Sequence, residues 1–147
     1  MSDQKQINTP PIATYTIAQL VEGMEAIIQH QLTEKDIAVF ADLTQDFHPL
    51  HTSQTYAKAH GFKDIMAHGL LLASFSSKLI GMKLPGERAI VISQNFKYIS
   101  PAYPDDDLLI KGVVKNVNME HSTLEVKIKI SGPKKIIATG KYLVKVR

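Results

Sequence analysis

Asp46, His48 and His51 lie close together around Pro49, in the stretch Asp46-Phe47-His48-Pro49-Leu50-His51. Proline lacks a backbone donor and pushes the residue before it towards extended geometry, so this stretch reads as a short fixed loop. A carboxylate and an imidazole flanking a stiffened turn are held near one another, which is what acid–base work on a water molecule needs. His68-Gly69 opens an apolar segment of helical pattern. The first turn of a helix carries free N–H groups and the positive end of the dipole, and glycine lets a ligand come close to the backbone. A carbonyl oxygen gaining negative charge would be stabilised there. The bland alternatives are a cap and a surface hydrogen bond for Asp46 and His51, and tight helix-on-sheet packing for Gly69.

Asp46, His48, His51 and His68 could in principle supply four metal ligands. The His48/His51 spacing spans the proline turn and no second cluster supports it, so neither a metal nor a cofactor is expected. His30, His60 and His121 read as surface or strand residues. The chain contains no cysteine, which removes disulfides, thiolate nucleophiles and thiolate metal sites and leaves chemistry to carboxylates, hydroxyls, imidazoles, lysines and backbone amides.

These residues need a scaffold, and the 147 residues suffice for one core. The polar, Pro10-Pro11-containing start predicts a loose arm over 1–13, with a single domain over 14–147. Glu25–Leu32 reads as a strand, and Thr33 with Asp36 as a capping-box-like start to a helix ending at Thr44-Gln45. Residues 53–60 give one or two helical turns closed by Gly61. Residues 65–81 are apolar or small nearly all round, the pattern of a helix buried on most sides, and Pro85-Gly86 ends it. The period then changes to two: Ala89–Ile99, Leu108–Val117, Thr123–Ser131 and Ile136–Val146 predict four antiparallel strands in a meander. The fold class is α+β, a sheet around one central helix, and pairing of open sheet edges in a dimer would remove their liability.

The stretch Phe40-Ala-Asp-Leu-Thr-Gln-Asp46-Phe-His48-Pro49-Leu50-His51, together with Ala67-His68-Gly69-Leu70-Leu71-Leu72-Ala73-Ser74 and Leu84-Pro85-Gly86, resembles the MaoC-like, (R)-specific enoyl-CoA hydratases. The usual core of their motif is Gly-Asp-x-Asn-Pro-(Leu/Ile/Val)-His. The resemblance implies a hot-dog fold, with an antiparallel sheet wrapped around a long central helix, and a homodimer with acyl-thioester sites near the interface. It implies the catalytic pair on Asp46 and His51, the oxyanion-stabilising amide on Gly69, and a serine lining the site near Ser77, with His48 and His68 beside the substrate. The reaction implied is reversible hydration of trans-2-enoyl-CoA to (R)-3-hydroxyacyl-CoA. Alternatives are dehydration of 3-hydroxyacyl thioesters on an acyl-carrier protein, or a binding or scaffold module impaired by two departures from the motif. Those departures are Gln45 for the usual glycine, tolerable if its φ is negative, and His48 for the usual asparagine.

The formal net charge of +3 is regional. Residues 111–147 hold nine Lys/Arg against Glu120 and Glu125, giving +7, while residues 1–110 carry −4. The Leu124–Ile130 alternation puts lysines on one solvated face. Attraction of CoA phosphates or an acidic carrier protein comes next, and nucleic acid last, because Tyr142 is the only aromatic after residue 110. There is no apolar run of transmembrane length and no basic-then-apolar start, so a cytoplasmic protein with no membrane insertion is expected.

Overall fold

The computed structural model describes residues 9–147; the first eight residues of the predicted arm lie outside it. The last residue of that arm is already fastened, since Ala13 N–H donates to Met82 O at 2.9 Å and Ala13 O accepts from Glu87 N–H at 2.8 Å. After a short 3-10 turn at Ile17–Gln19 come strand β1 (Glu25–Gln31), helices α1 (Glu34–Thr44), α2 (Pro49–Thr52), α3 (Gln54–Ala59) and α4 (Gly69–Met82), and strands β2 (Ala89–Tyr98), β3 (Asp107–Asn118), β4 (Thr123–Ser131) and β5 (Ile136–Val146).

The five strands form one antiparallel sheet in the order β1-β3-β4-β5-β2. β3, β4 and β5 make a meander, but β2 does not lead it as the sequence suggested: β2 pairs with β5 on the far edge. The reason lies in the connection over residues 99–106, which runs across the end of the sheet instead of turning back. Ala102 O accepts from Ala67 N–H, and the Asp105 N–H and Asp106 O bond Leu32 on the other side. Such a connection, holding Pro101 and Pro104, satisfies its polar groups by crossing.

α4 lies against the inner face of this sheet. Leu71, Leu72, Leu79 and Ile80 are buried with Ile110, Val114, Leu124, Val126, Ile128 and Ile130. Full burial of one such side chain stabilises by about 1.5–3 kcal/mol, which holds the helix to the strands. In β4 the alternation operates as written, with Leu124, Val126, Ile128 and Ile130 inward and Lys127 and Lys129 exposed. Gly112 of β3 permits the close approach: a Cβ there would lie 2.6 Å from Leu79 Cδ2. One face of α4 stays open, with Leu70 68% exposed, so burial within one chain is less complete than the composition of the helix suggested. The helix also starts later than residue 65, because Met66 and Ala67 spend their N–H groups on Leu50 O and Ala102 O.

Candidate active site

Two chain crossings build the site. Thr33 and Asp36 cap α1 reciprocally, through Asp36 N–H to Thr33 Oγ1 (3.1 Å) and Thr33 N–H to Asp36 Oδ2 (2.9 Å). α1 then ends at Gln45, whose φ of +60° and ψ of 22° lie in the left-handed region that glycine takes freely. The condition under which glutamine would be unstrained is therefore not met. This left-handed residue turns the chain so that Asp46 starts a new direction, and the Asp46 carboxylate accepts from His48 N–H at 3.2 Å.

The stretch read as a loop contains one helical turn, α2, with Pro49 in its first position, where a missing donor costs nothing. His48 is the N-cap, and its Nδ1 accepts from Leu50 N–H at 3.2 Å. Asparagine is among the best residues at such a cap, and the imidazole nitrogen takes over the same task. His48 is exposed and its ring lies 5.9 Å from that of His51.

α2 is stitched to the segment before α4. Met66 N–H donates to Leu50 O at 3.0 Å, and His51 Nδ1–H donates to Met66 O at 2.7 Å. A carbonyl can only accept, so the proton sits on Nδ1 and Nε2 of His51 is left as the basic nitrogen. By the same logic His68 Nε2–H donates to Asp46 O at 3.0 Å, leaving a buried His68 Nδ1 with no partner among the described residues. The two rings stack with centroids 3.8 Å apart, and Phe40 closes the other side of His68 at 4.9 Å. Burial holds the half-buried His51 imidazole below the ordinary histidine range; the bond to Met66 opposes this, and the neighbouring His68 adds to the lowering.

Asp46, His51 and His68 thus form one cluster, with an oxygen or nitrogen from each within 4.8 Å of the others. All the groups it leaves free, the Asp46 carboxylate, His51 Nε2 and His68 Nδ1, accept hydrogen bonds. An ion shared by both imidazoles must lie in both ring planes at about 2.0–2.1 Å from each nitrogen. Rings 25° from parallel and stacked at 3.8 Å do not converge at that distance. The arrangement suits a water molecule, which can donate twice.

Gly69 is the first residue of α4, and its N-cap His68 spends its side chain on Asp46 O instead of capping the helix. The first-turn N–H groups are accordingly free of a side-chain cap. A Cβ at Gly69 would lie 2.9 Å from Tyr98 Cζ, so the glycine lets the ring of Tyr98 rest directly on the helix start. Sequence reasoning missed Tyr98; the signal available was its position two residues after Phe96, which puts both rings on one sheet face. Ser77 is exposed two turns along α4, outside the cluster of Asp46, His51 and His68. The buried serine is Ser76, whose Oγ bonds Tyr142 Oη at 2.7 Å and Ala73 O at 2.5 Å.

Comparison with known proteins gives a consistent picture. The MaoC like domain matches residues 16–135. The chain is 31% identical over 125 residues to the (R)-specific enoyl-CoA hydratase of Rhodospirillum rubrum, covering 85% of this chain and 87% of that protein. It is 29% identical over 99 residues to a mitochondrial 3-hydroxyacyl-[acyl-carrier-protein] dehydratase of Arabidopsis thaliana, covering 67% of this chain and 57% of the relative. The solved (R)-hydratase from A. caviae involved in PHA biosynthesis superposes with a TM-score of 0.83 at 28% identity, over 87% of this chain and 98% of that one. The sheet wrapped around α4 is the hot-dog fold of such neighbours.

Proposed function

The chain belongs to the MaoC-like domain family, and on that premise we propose that it reversibly hydrates trans-2-enoyl-CoA to (R)-3-hydroxyacyl-CoA. The observation that carries the reading is the cluster of acceptors formed by Asp46, His51 and His68 beside the uncapped start of α4. A water held by the Asp46 carboxylate and His51 Nε2 is placed to attack C3 of the enoyl chain. As its oxygen bonds to C3, the pair takes the proton it loses, and the C2=C3 electrons move onto the thioester carbonyl as an enolate. The Gly69 N–H donates to that oxygen, and as the electrons return C2 takes the proton held by the pair, which restores the pair to its starting state. The cycle needs no covalent intermediate. The stereochemistry rests on the hydratases that this chain is similar to.

The edge strand β2 supports a homodimer: Ile90, Val91 and Ile92 are 48%, 45% and 54% exposed along it, and edge pairing covers such a strand. Tyr98, at the end of the same strand, lies on Gly69, which supports a site close to that edge. A carrier-protein thioester is the second reading, favoured by the plant dehydratase relative. Among the described residues, no helix is long and apolar enough to cross a membrane.

The test is loss of enoyl absorbance with short- and medium-chain enoyl-CoA. Asp46→Asn and His51→Ala are each expected to lower kcat/KM at least about a hundredfold, the scale of a lost acid–base group, with unchanged circular dichroism. Near-wild-type rates in both variants would overturn the reading. Activity in His48→Asn but none in the wild type would point to the scaffold alternative.

A further inference from the structure

The sheet face turned away from α4 carries a charge pattern that hydration does not use. Lys97, Lys111, Lys115, Lys127, Lys129 and Lys141 border a cavity of about 570 Å³ whose wall also includes Val113 and Thr139. In register, Lys127 of β4 stands directly opposite Lys141 of β5, and Lys129 directly opposite Lys111 of β3. Like charges in direct cross-strand pairs destabilise a sheet, and here they fall on successive outward positions. Among the described residues only two carboxylates answer them: Glu25 at 2.8 Å from Lys111 and Glu125 at 3.3 Å from Lys141. A face that served solvation alone would be more stable with these lysines spaced apart.

We propose that this face is a binding site for a small polyphosphate of nucleotide size. Lysines on neighbouring strands are about 5 Å apart, and those two residues apart on one strand about 7 Å, so several ammonium groups can reach one anionic chain. Ligand cavities of about 300–1,000 Å³ hold small molecules, which fits a nucleotide better than a duplex or a flat bilayer. No arginine borders the cavity, and Phe96 beside it turns its ring to the inner face, edge-on to Tyr142 at 5.9 Å, so the stacking platform of a nucleic-acid-binding sheet is missing there. Two sources offer the required chemistry: a free nucleotide, and the phosphate-bearing end of a CoA thioester, the second of which rests on the hydratase reading.

Thermal unfolding of the full chain with inorganic tripolyphosphate at low salt decides the matter without any activity assay. The wild-type midpoint is expected to rise by about 3 °C or more at saturating anion. The double variant Lys127→Gln/Lys129→Gln should unfold at a higher temperature than wild type without anion, because opposed charges are gone, and should lose the anion-induced rise. Lys35→Gln/Lys58→Gln, which removes equal charge elsewhere, should keep it. No rise in the wild type, a rise retained in the first variant, or equal loss in both variants would overturn the proposal. Once the rise is seen, the enoyl-CoA KM assigns the source: a KM at least threefold higher in Lys127→Gln/Lys129→Gln at unchanged kcat places the thioester's phosphates here, and an unchanged KM assigns the site to a free polyphosphate.

Discussion

Gln45 carries backbone strain next to a proposed catalytic group. An L residue at φ +60° pays about 1 kcal/mol that glycine avoids, partly returned here by Gln45 Nε2 donating to Asp42 O at 2.6 Å. Gln45→Gly is expected to raise stability by about 0.5–1 kcal/mol, read as a higher urea midpoint at unchanged m; a lower midpoint would show that the Asp42 bond outweighs the strain. His51 makes a pH prediction with a definite sign. Its folded pKa is held below the ordinary 6.5, chiefly by burial, so above 6.5 both folded and unfolded forms are neutral and its contribution is fully present. As pH falls from 6.5 through the folded value, the unfolded chain binds the proton first and stability declines. The acidic limb of kcat/KM for the free enzyme is accordingly expected below pH 6.5; a limb above it would contradict a half-buried neutral base. Asp46, His51 and Gly69 were legible because a proline turn and a helix start are local features. The Met66 carbonyl that sets the His51 tautomer and the ring of Tyr98 were not, since each reaches the site from a distant part of the chain.

At the scale of elements, legibility followed the same division. β4 and β5 have the bounds that alternation predicts, and α1 begins at the Thr33 cap, because period and capping chemistry are written within a few residues. The place of β2 beyond β5 depends on the path of residues 99–106, whose hydrogen bonds go to Ala67 and Leu32, and nothing local to that segment encodes those partners. The same holds for the join between α4 and β5. Ser76 and Tyr142 form the polar contact between them, with Tyr142 only 2% exposed. Ser76→Ala strands a buried phenol and is expected to cost about 1–3 kcal/mol in denaturant unfolding. Tyr142→Phe removes the hydroxyl itself, and because Ser76 keeps its bond to Ala73 O, adding it to Ser76→Ala should recover part of the loss. Strict additivity of the two changes would mean that the contact contributes nothing.

For the whole molecule, the edges of the sheet matter more than its face. β1 and β2 are the two edges, and β2 is exposed at nearly every position, with Ile90, Val91 and Ile92 presented together. A long apolar edge strand left open invites uncontrolled association, so a defined partner for it is the economical solution, and a second copy supplies an identical edge that pairs antiparallel about a two-fold axis. Ile92 sits where the β2–β5 register shifts, so a charge there disturbs the pairing inside the chain least. Ile92→Lys is therefore expected to convert a dimer to a folded monomer, seen as a halved mass by light scattering at unchanged far-UV circular dichroism. Because Tyr98 ends the same strand and lies on Gly69, the monomer should also lose hydration through kcat more than through KM. A wild-type chain that is monomeric at micromolar concentration, or an Ile92→Lys dimer of full activity, would show that this edge is not the interface.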